Sequence, residues 1–329
     1  ILLFQFYHGD YQLKILVTGG AGFIGSNLID TLLGQNMEIV AVDNFDAFYD
    51  KNIKERNIKQ AMDYQNFHLY RTDILDRESL ENIFRKHNPE TIVHLAAKAG
   101  VRPSIDDPVG YMQTNIEGTT NLLELSKIHK IGKFIFASSS SVYGNNKKVP
   151  FSEKDPVDFP ISPYAASKKA GELICYNYHH LYNMNIFALR FFTVYGPRQR
   201  PEMAIHKFTR LIDEEKPVPV YGEGMPRRDF TYITDIIEGI KKAILNVNGY
   251  EIINLGESQT ISVSDLITEI ENAVGKKAKR EILPMQPGDV IETFADVTKA
   301  KNLLGYKPST SIKKGISGFT EWYFSQNKK

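Results

Sequence analysis

Three groups of residues have the types and the spacing to do chemistry. Tyr164 and Lys168 stand four residues apart. On a helix that places both side chains on one face, one turn from each other. A phenol is a poor base at its reference pKa of about 10, but a neighbouring ammonium favours the phenolate. Lowering that pKa to about 7 takes roughly 4 kcal/mol. One or two close cations in a dry site supply energy on that scale. A solvated helix face could carry the same pair, so the weight of the reading rests on what lies upstream.

The second group is a glycine loop, Thr18-Gly19-Gly20-Ala21-Gly22-Phe23-Ile24-Gly25, with a G-x-x-G-x-x-G spacing at 19, 22 and 25. It follows a short apolar run and precedes a helical pattern. The free N–H groups and the dipole at such a helix start stabilise a pyrophosphate, and glycine lets the backbone approach it closely. Asp43 ends the next apolar run, 18 residues beyond Gly25, near the spacing of a ribose-binding acid. A carboxylate there accepts hydrogen bonds from a ribose 2′-OH and repels a 2′-phosphate, which favours NAD over NADP. A helix cap or a turn would equally explain Asp43 taken alone. The third group is Ser138-Ser139-Ser140-Ser141, at the end of a strand-like run. Ligands of open α/β sheets sit at such carboxyl ends, though a solvated turn also tolerates serines.

The elements that must position these groups read as alternating strands and helices. Apolar runs predict buried strands at Lys14–Thr18, Glu38–Val42 and Phe67–Tyr70, and at 91–95, 133–137 and 185–189. Helices are expected at 24–34, 75–86 (with Asp76 as N-cap), 112–130 and 164–182. This is the pattern of a Rossmann-type, doubly wound parallel α/β sheet covered on both faces and joined by right-handed crossovers. After Phe192 the alternation becomes irregular and prolines cluster at 197–201, 217–219 and 284–287. The expected organisation is an NAD-binding domain over 13–192, with 233–256 returning to it. A smaller mixed α/β substrate lobe takes 193–232 and 257–329. Residues 1–12, apolar and without an initiator Met, read as a leader or remnant segment.

Composition sets the outer limits. Lys plus Arg number 40 against 39 Asp plus Glu, a net charge of +1. That balance argues against a nucleic-acid partner steered by a basic face. With 42% hydrophobic and 24% charged residues, the chain is neither disordered nor fibrous. The single cysteine, Cys175, permits no internal disulfide and fits a reducing, cytoplasmic setting. No apolar run approaches the ~18 residues of a membrane span. The His179-His180 pair lacks complementary ligands, so no metal site is expected, and His94 reads as a packed strand residue.

The order T-G-G-A-G-F-I-G (18–25), H-L-A-A (94–97), S-S-S-S-V-Y-G (138–144) and Y-A-A-S-K (164–168) resembles the extended short-chain dehydrogenase/reductase superfamily, over about residues 14–320. Its sugar-nucleotide members keep NAD tightly bound. Several segments look most like the UDP-glucuronate 4-epimerases: Val42-Asp43-Asn44-Phe45 with Phe48-Tyr49-Asp50, Ala99-Gly100-Val101-Arg102, Arg190 to Pro197, and Arg227 to Ile233. Related 4,6-dehydratases carry Thr-Asp-Glu where this chain has Ser139-Ser140-Ser141, and UDP-glucuronate decarboxylases usually carry a glutamate at the third position. Without a carboxyl group there, 4-epimerisation through a transient 4-keto sugar is implied. Serine hydroxyls could also donate hydrogen bonds to a substrate carboxylate.

The resemblance assigns roles position by position. Tyr164 is the general base, Ser139 bonds the same sugar oxygen, and Lys168 holds the nicotinamide ribose and lowers the Tyr164 pKa. Gly19, Gly22, Phe23, Ile24, Gly25, Asp43, Asn44, Asp73, Ile74, Ala96, Ala97, Asn115 and Ser138 are expected at NAD, together with Tyr164 and Lys168. Ser139, Ser140, Ser141 and Thr193 are expected to face the sugar. Arg228 and Arg200 are expected at the UDP phosphates, Tyr221 and Asp289 at uridine, and Arg102 at a hexuronate carboxylate. Lys98 departs from the glutamine expected in this group. Helices 112–130 and 164–182 would pair across a homodimer as a four-helix bundle. The alternatives are a UDP-glucose/UDP-galactose or N-acetylhexosamine 4-epimerase, a UDP-glucuronate decarboxylase and a non-catalytic NAD-sensing scaffold. Such scaffolds usually lose the tyrosine or the lysine.

Overall fold

The computed structural model describes residues 12–284 and 292–327. Asp289 and residues 1–11 lie outside them. Six strands come in chain order: β1 (Lys14–Thr18), β2 (Glu38–Val42), β3 (Phe67–Tyr70), β4 (Thr91–His94), β5 (Lys133–Ser139) and β6 (Asn185–Phe191). With the strand Tyr250–Leu255 they form one parallel sheet, ordered Tyr250–Leu255, β6, β5, β4, β1, β2, β3. The order reverses between β1 and β4, where open α/β sheets bind ligands.

The continuous apolar strands behave as expected of a sheet buried on both faces. Ile15, Val17, Ile39, Ala41 and Ile135 enter one core cluster, with Leu28 and Leu32 of helix α1 (Phe23–Leu33). Their neighbours Leu16, Val40, Val42, Phe134 and Phe136 enter the opposite one, with Leu80, Phe84, Leu122 and Cys175. Alternate residues thus feed opposite cores, as the period of two requires. A third core joins the helices Ala204–Asp213, Val263–Val274 and Ile312–Asn327 through Phe208, Ile212, Leu266, Ile270 and Phe319. Beside it the strands Pro217–Tyr221 and Lys279–Leu283 pair in parallel.

Several boundaries differ from the sequence reading, and one helix was not expected. β5 runs on through Ser138 and Ser139, and β6 through Phe191. The expected 112–130 helix is Pro108–Met112, a π-turn at Gln113–Glu117, then Gly118–Ile128. The turn holds a single apolar residue, Ile116, so the apolar pattern does not mark it. The polar helix Lys51–Ile58 was not expected, because it shows little apolar periodicity. Asp76 caps the helix Arg77–His87, accepting from the Ser79 N–H at 3.1 Å. The helix Pro163–Tyr182 starts behind Ser162, whose Oγ accepts from Ala165 N–H at 3.1 Å. Among the described residues, no helix is long and apolar enough to cross a membrane.

Candidate active site

The glycine loop is fixed by contacts that admit no side chain. Gly19 has φ +69°, and a Cβ there would stand 2.8 Å from Ala96 N. A Cβ on Gly25 would stand 2.2 Å from the Gly19 carbonyl oxygen. Helix α1 then starts behind Gly22 with no side-chain cap and no acidic residue in its first turn. Its positive end is therefore open to an anion. The Phe23 side chain is buried in the core, so only its backbone can face a ligand. Ile24 is half-buried and packs against the same core.

Asp43 has more to do than the ribose contact the sequence suggests. Its carboxylate accepts from Ala21 N–H at 3.0 Å and Phe45 N–H at 2.8 Å, and it pairs with Lys54 at 3.4 Å. It ties the glycine loop to the end of β2. Asn44 donates to Asp73 at 2.7 Å, and Asp73 accepts from Leu75 N–H at 2.9 Å, so two expected NAD residues do meet at the ends of β2 and β3. Ile74 packs on Gly118, where a Cβ would stand 2.4 Å from it. Ala96 N–H donates to Thr18 Oγ1, which bonds His94 Nδ1 at 2.7 Å; His94 Nε2 bonds Thr119 at 2.9 Å. Burial pushes the His94 pKa down to about 3, so it is a neutral packed link, as the sequence suggests. Ala97, just beyond β4, is half-buried.

Asn115 sits in the π-turn, 1% exposed. Its side chain accepts from the Lys98 N–H and donates to the Lys98 carbonyl, both at 2.9 Å, and it reaches Ser167 Oγ at 2.9 Å. It clamps the loop after β4 against the Tyr164 helix. The Lys98 ammonium pairs with Asp107 at 2.6 Å, and Asp107 caps the helix Pro108–Met112.

Tyr164 and Lys168 do share a helix face, but they look at different partners. Lys168 is 4% exposed; its Nζ donates to the Ala137 carbonyl at 2.7 Å and lies 5.2 Å from the Phe136 ring centre. Burial lowers its pKa to about 8. Tyr164 packs edge-on to Tyr111 at 6.2 Å, and Tyr111 Oη donates to Ala99 O at 3.1 Å. Burial raises the Tyr164 pKa, while a hydrogen bond from Ser139 and the positive charge of Arg200 act to lower it. Arg200 thus adds positive charge near the phenol, a role the sequence reading did not give it. Tyr111 was missed as well. It stands one helical turn before Asn115, and that spacing was the available signal.

The serine run divides in two. Ser138 is 3% exposed and donates to Glu172 at 2.6 Å. Glu172 in turn holds Arg190 bidentately at 2.7 and 2.8 Å. The Ser138 hydroxyl is therefore committed to Glu172, which leaves only its backbone for the expected cofactor contact. Ser139 Oγ accepts from the Ser141 N–H at 3.2 Å and from the Ser141 hydroxyl at 2.9 Å. That leaves its own proton for Tyr164. Ser140 and Ser141 are half-buried in the short turn Ser140–Tyr143.

Two further arginines among the expected residues carry contacts of their own. Arg200 pairs with Glu202 at 3.2 Å, touches Ala99 O at 3.5 Å and lies 5.6 Å over the Phe48 ring. The Arg102 guanidinium lies 5.1 Å over the Tyr221 ring, bringing two expected substrate residues together across the domain boundary. Thr193 is half-buried and its N–H donates to Asp229 O at 3.1 Å. Arg228 Nη1 donates to Arg227 O at 2.9 Å. A cavity of about 700 Å³, lined by Asn27, Arg198, His206 and Trp322 among others, contains none of the expected site residues. His179 bonds Met184 O at 2.8 Å, a structural tie.

The GDP-mannose 4,6 dehydratase family model matches residues 16–319. A UDP-glucuronate 4-epimerase of Thermodesulfobacterium geofontis is 45% identical over 308 residues, 93% of this chain and 95% of that protein. Among solved structures, the UDP-glucuronic acid 4-epimerase of Bacillus cereus, in complex with UDP-glucuronic acid and NAD, superposes with a TM-score of 0.90. It shares 39% identity, over 95% of this chain and 99% of that one. The UDP-glucose 4-epimerase of Thermotoga maritima, with UDP-glucose, gives a TM-score of 0.89 at 33% identity, over 96% and 100%.

Proposed function

This chain belongs to the GDP-mannose 4,6-dehydratase family of extended short-chain dehydrogenases/reductases, and from that premise we propose that it is an NAD-dependent 4-epimerase of UDP-glucuronate. The product is UDP-galacturonate, formed through a transient 4-keto sugar. The observation that carries this reading is the turn Ser139–Ser141, which sets hydroxyls and no carboxyl group beside Tyr164. Tyr164 serves as the base for an epimerisation, and no second acid or base of the kind an elimination needs stands in that turn. The relatives named above support the substrate, and the NAD-bound structures support the cofactor.

The glycine loop fits NAD. Its backbone is closed to any Cβ, and α1 offers its uncapped end to the pyrophosphate. NAD bound there would supply the hydride acceptor and donor for sugar C4, and inversion would require the 4-keto sugar to turn over between the two transfers. The chain's own residues do the rest. Tyr164 takes the proton of the 4-OH as general base. Ser139, fed by Ser141, steadies the oxygen and the phenolate. Arg200 supplies the nearby positive charge, and Lys168 holds the ribose from its place at the end of β5. Ser140 and Thr193 receive the uronate carboxylate as donors, while the Ser141 hydroxyl is committed to Ser139. Arg228 and Arg102 take the diphosphate side, with Tyr221 at the base. Arg102 stacked on Tyr221 supports this placement better than the carboxylate role.

In this reading residues 13–192 with 233–256 hold NAD, and the remainder of the chain grips the nucleotide sugar. Leu173, Tyr176 and Leu181 on the helix Pro163–Tyr182 and Ile128 on Gly118–Ile128 are each about half exposed. Apolar side chains spaced along these helices support a homodimer through them. A cytoplasmic location accords with the buried, unpaired Cys175.

Incubation with UDP-glucuronate, UDP-glucose and UDP-N-acetylglucosamine in separate reactions, followed by proton NMR, tests the reading. Conversion of UDP-glucuronate to UDP-galacturonate is expected. Turnover of the neutral sugars alone, or release of CO₂ with a UDP-pentose, would refute it.

A further inference from the structure

Away from the active site, three potential ligands converge from three elements. Glu38 opens β2, His68 lies in β3 and His87 ends the helix Arg77–His87. One ligand atom from each lies within 4.8 Å of the others. Glu38 Oε1 is 3.5 Å from His68 Nε2 and 3.8 Å from His87 Nδ1. Ligands bound tetrahedrally to zinc at about 2.0–2.1 Å stand about 3.4 Å apart, so both pairs are within a few tenths of an ångström of that spacing.

A second observation fixes the direction of the key ligand. His87 is 6% exposed, and its Nε2 lies 2.7 Å from the Tyr70 hydroxyl. In the tautomer whose Nε2–H donates to the Tyr70 oxygen, the Nδ1 lone pair is left to ligate. A cavity of about 390 Å³, lined in part by Glu38, His68, Gln65 and Asn66, opens beside the cluster and gives room for a water ligand.

We propose that Glu38, His68 and His87 form a three-ligand site for a borderline divalent cation of the zinc or cobalt class, completed by water. Two imidazoles and one carboxylate suit these ions, whereas calcium and magnesium take all-oxygen sets. Lys14 Nζ stands 3.2 Å from Glu38 Oε1. It is a long, partly exposed side chain, and metal entry displaces it toward the other carboxylate oxygen. The site lies where the strands begin, at the opposite edge from the serine turn. It clips β2, β3 and the Arg77–His87 helix together and takes no part in the reaction.

The test titrates the metal-stripped full chain with zinc chloride by calorimetry and with cobalt chloride by absorption, and follows the melting temperature. One saturable equivalent, a raised melting temperature and the bands of four-coordinate cobalt are expected. His68→Ala removes an exposed ligand and should weaken binding at least tenfold while leaving epimerase turnover unchanged. Tyr70→Phe keeps all three ligands and should weaken it about tenfold to a hundredfold. A His179→Ala/His180→Ala control should bind as the parent does. Absence of saturable binding by either metal, or binding that His68→Ala and His87→Gln both leave intact, overturns the proposal.

Discussion

The Glu172–Arg190 pair lies beneath the serine turn, and breaking it should cost unequal amounts from its two ends. Both side chains are 1% exposed and joined bidentately at 2.7 and 2.8 Å. Removing one partner of such a pair costs about 3–5 kcal/mol, because the other charge is left buried, whereas replacing both by apolar residues is often close to neutral. The environments set the order. Without Arg190, Glu172 keeps the Ser138 hydroxyl at 2.6 Å and the Lys169 ammonium at 3.7 Å. Without Glu172, Arg190 keeps no carboxylate among the described residues, only Tyr143, through its ring at 4.8 Å and a hydrogen bond to its hydroxyl. Glu172→Leu should therefore fall near the top of that range and Arg190→Met near the bottom. The double variant should lose clearly less than either single change. Urea unfolding of the four proteins reads the cycle, with turnover measured in parallel, since Ser139 follows Ser138 on the same strand. Additive losses in the double variant would refute the picture of a charge stranded in a dry core.

Three other outcomes follow from geometry already given. Arg200→Met removes a cation that lowers the Tyr164 pKa, so the acid limb of the kcat/KM profile should move to higher pH; an unmoved limb would exclude Arg200 from that role. Gly25→Ala forces a Cβ to 2.2 Å from the Gly19 carbonyl, and the variant should purify folded but with NAD content reduced severalfold, read by absorbance after acid release. Glu257 is partly buried, with one carboxylate oxygen lacking a hydrogen-bond partner; burial, then Asp235 and Asp229, raise its pKa to about 8. The folded state holds that proton between the ordinary carboxyl range and about pH 8 while the unfolded chain has lost it, so this contribution to stability falls as pH rises through that window. Melting temperatures of Glu257→Gln should depend less on pH there than those of the parent.

The parts of the site that depend on neighbouring residues in sequence were legible without coordinates. The glycine loop, the acid at the end of β2 and the shared face of Tyr164 and Lys168 are all short-range patterns, and the sheet follows from runs of four to seven residues. What sequence could not reveal is which partner a polar group takes. Ser138 looked like a ligand-facing hydroxyl because its acceptor, Glu172, stands 34 residues away. Arg200 was placed at the phosphates because nothing local ties it to Tyr164. The π-turn at Gln113–Glu117 stayed invisible because it holds a single apolar residue, Ile116. The Glu38, His68 and His87 cluster assembles only once β2 and β3 pair.

The strand Tyr250–Leu255, hydrogen-bonded at the edge of the main sheet, changes what kind of joint links the two parts of the chain. The backbone passes between them three times: after β6, before the helix Ile233–Asn246, and again after Leu255. A single linker lets a lobe swing like a door. Three crossings act as three pins, and rotation is confined to the small angle that all of them can share. On the division proposed above, residues 193–232 and 257–329 are accordingly not a cassette that recombination or engineering can exchange at one splice point. A graft that changes sugar preference has to carry both of its pieces and leave the returning helix and strand behind.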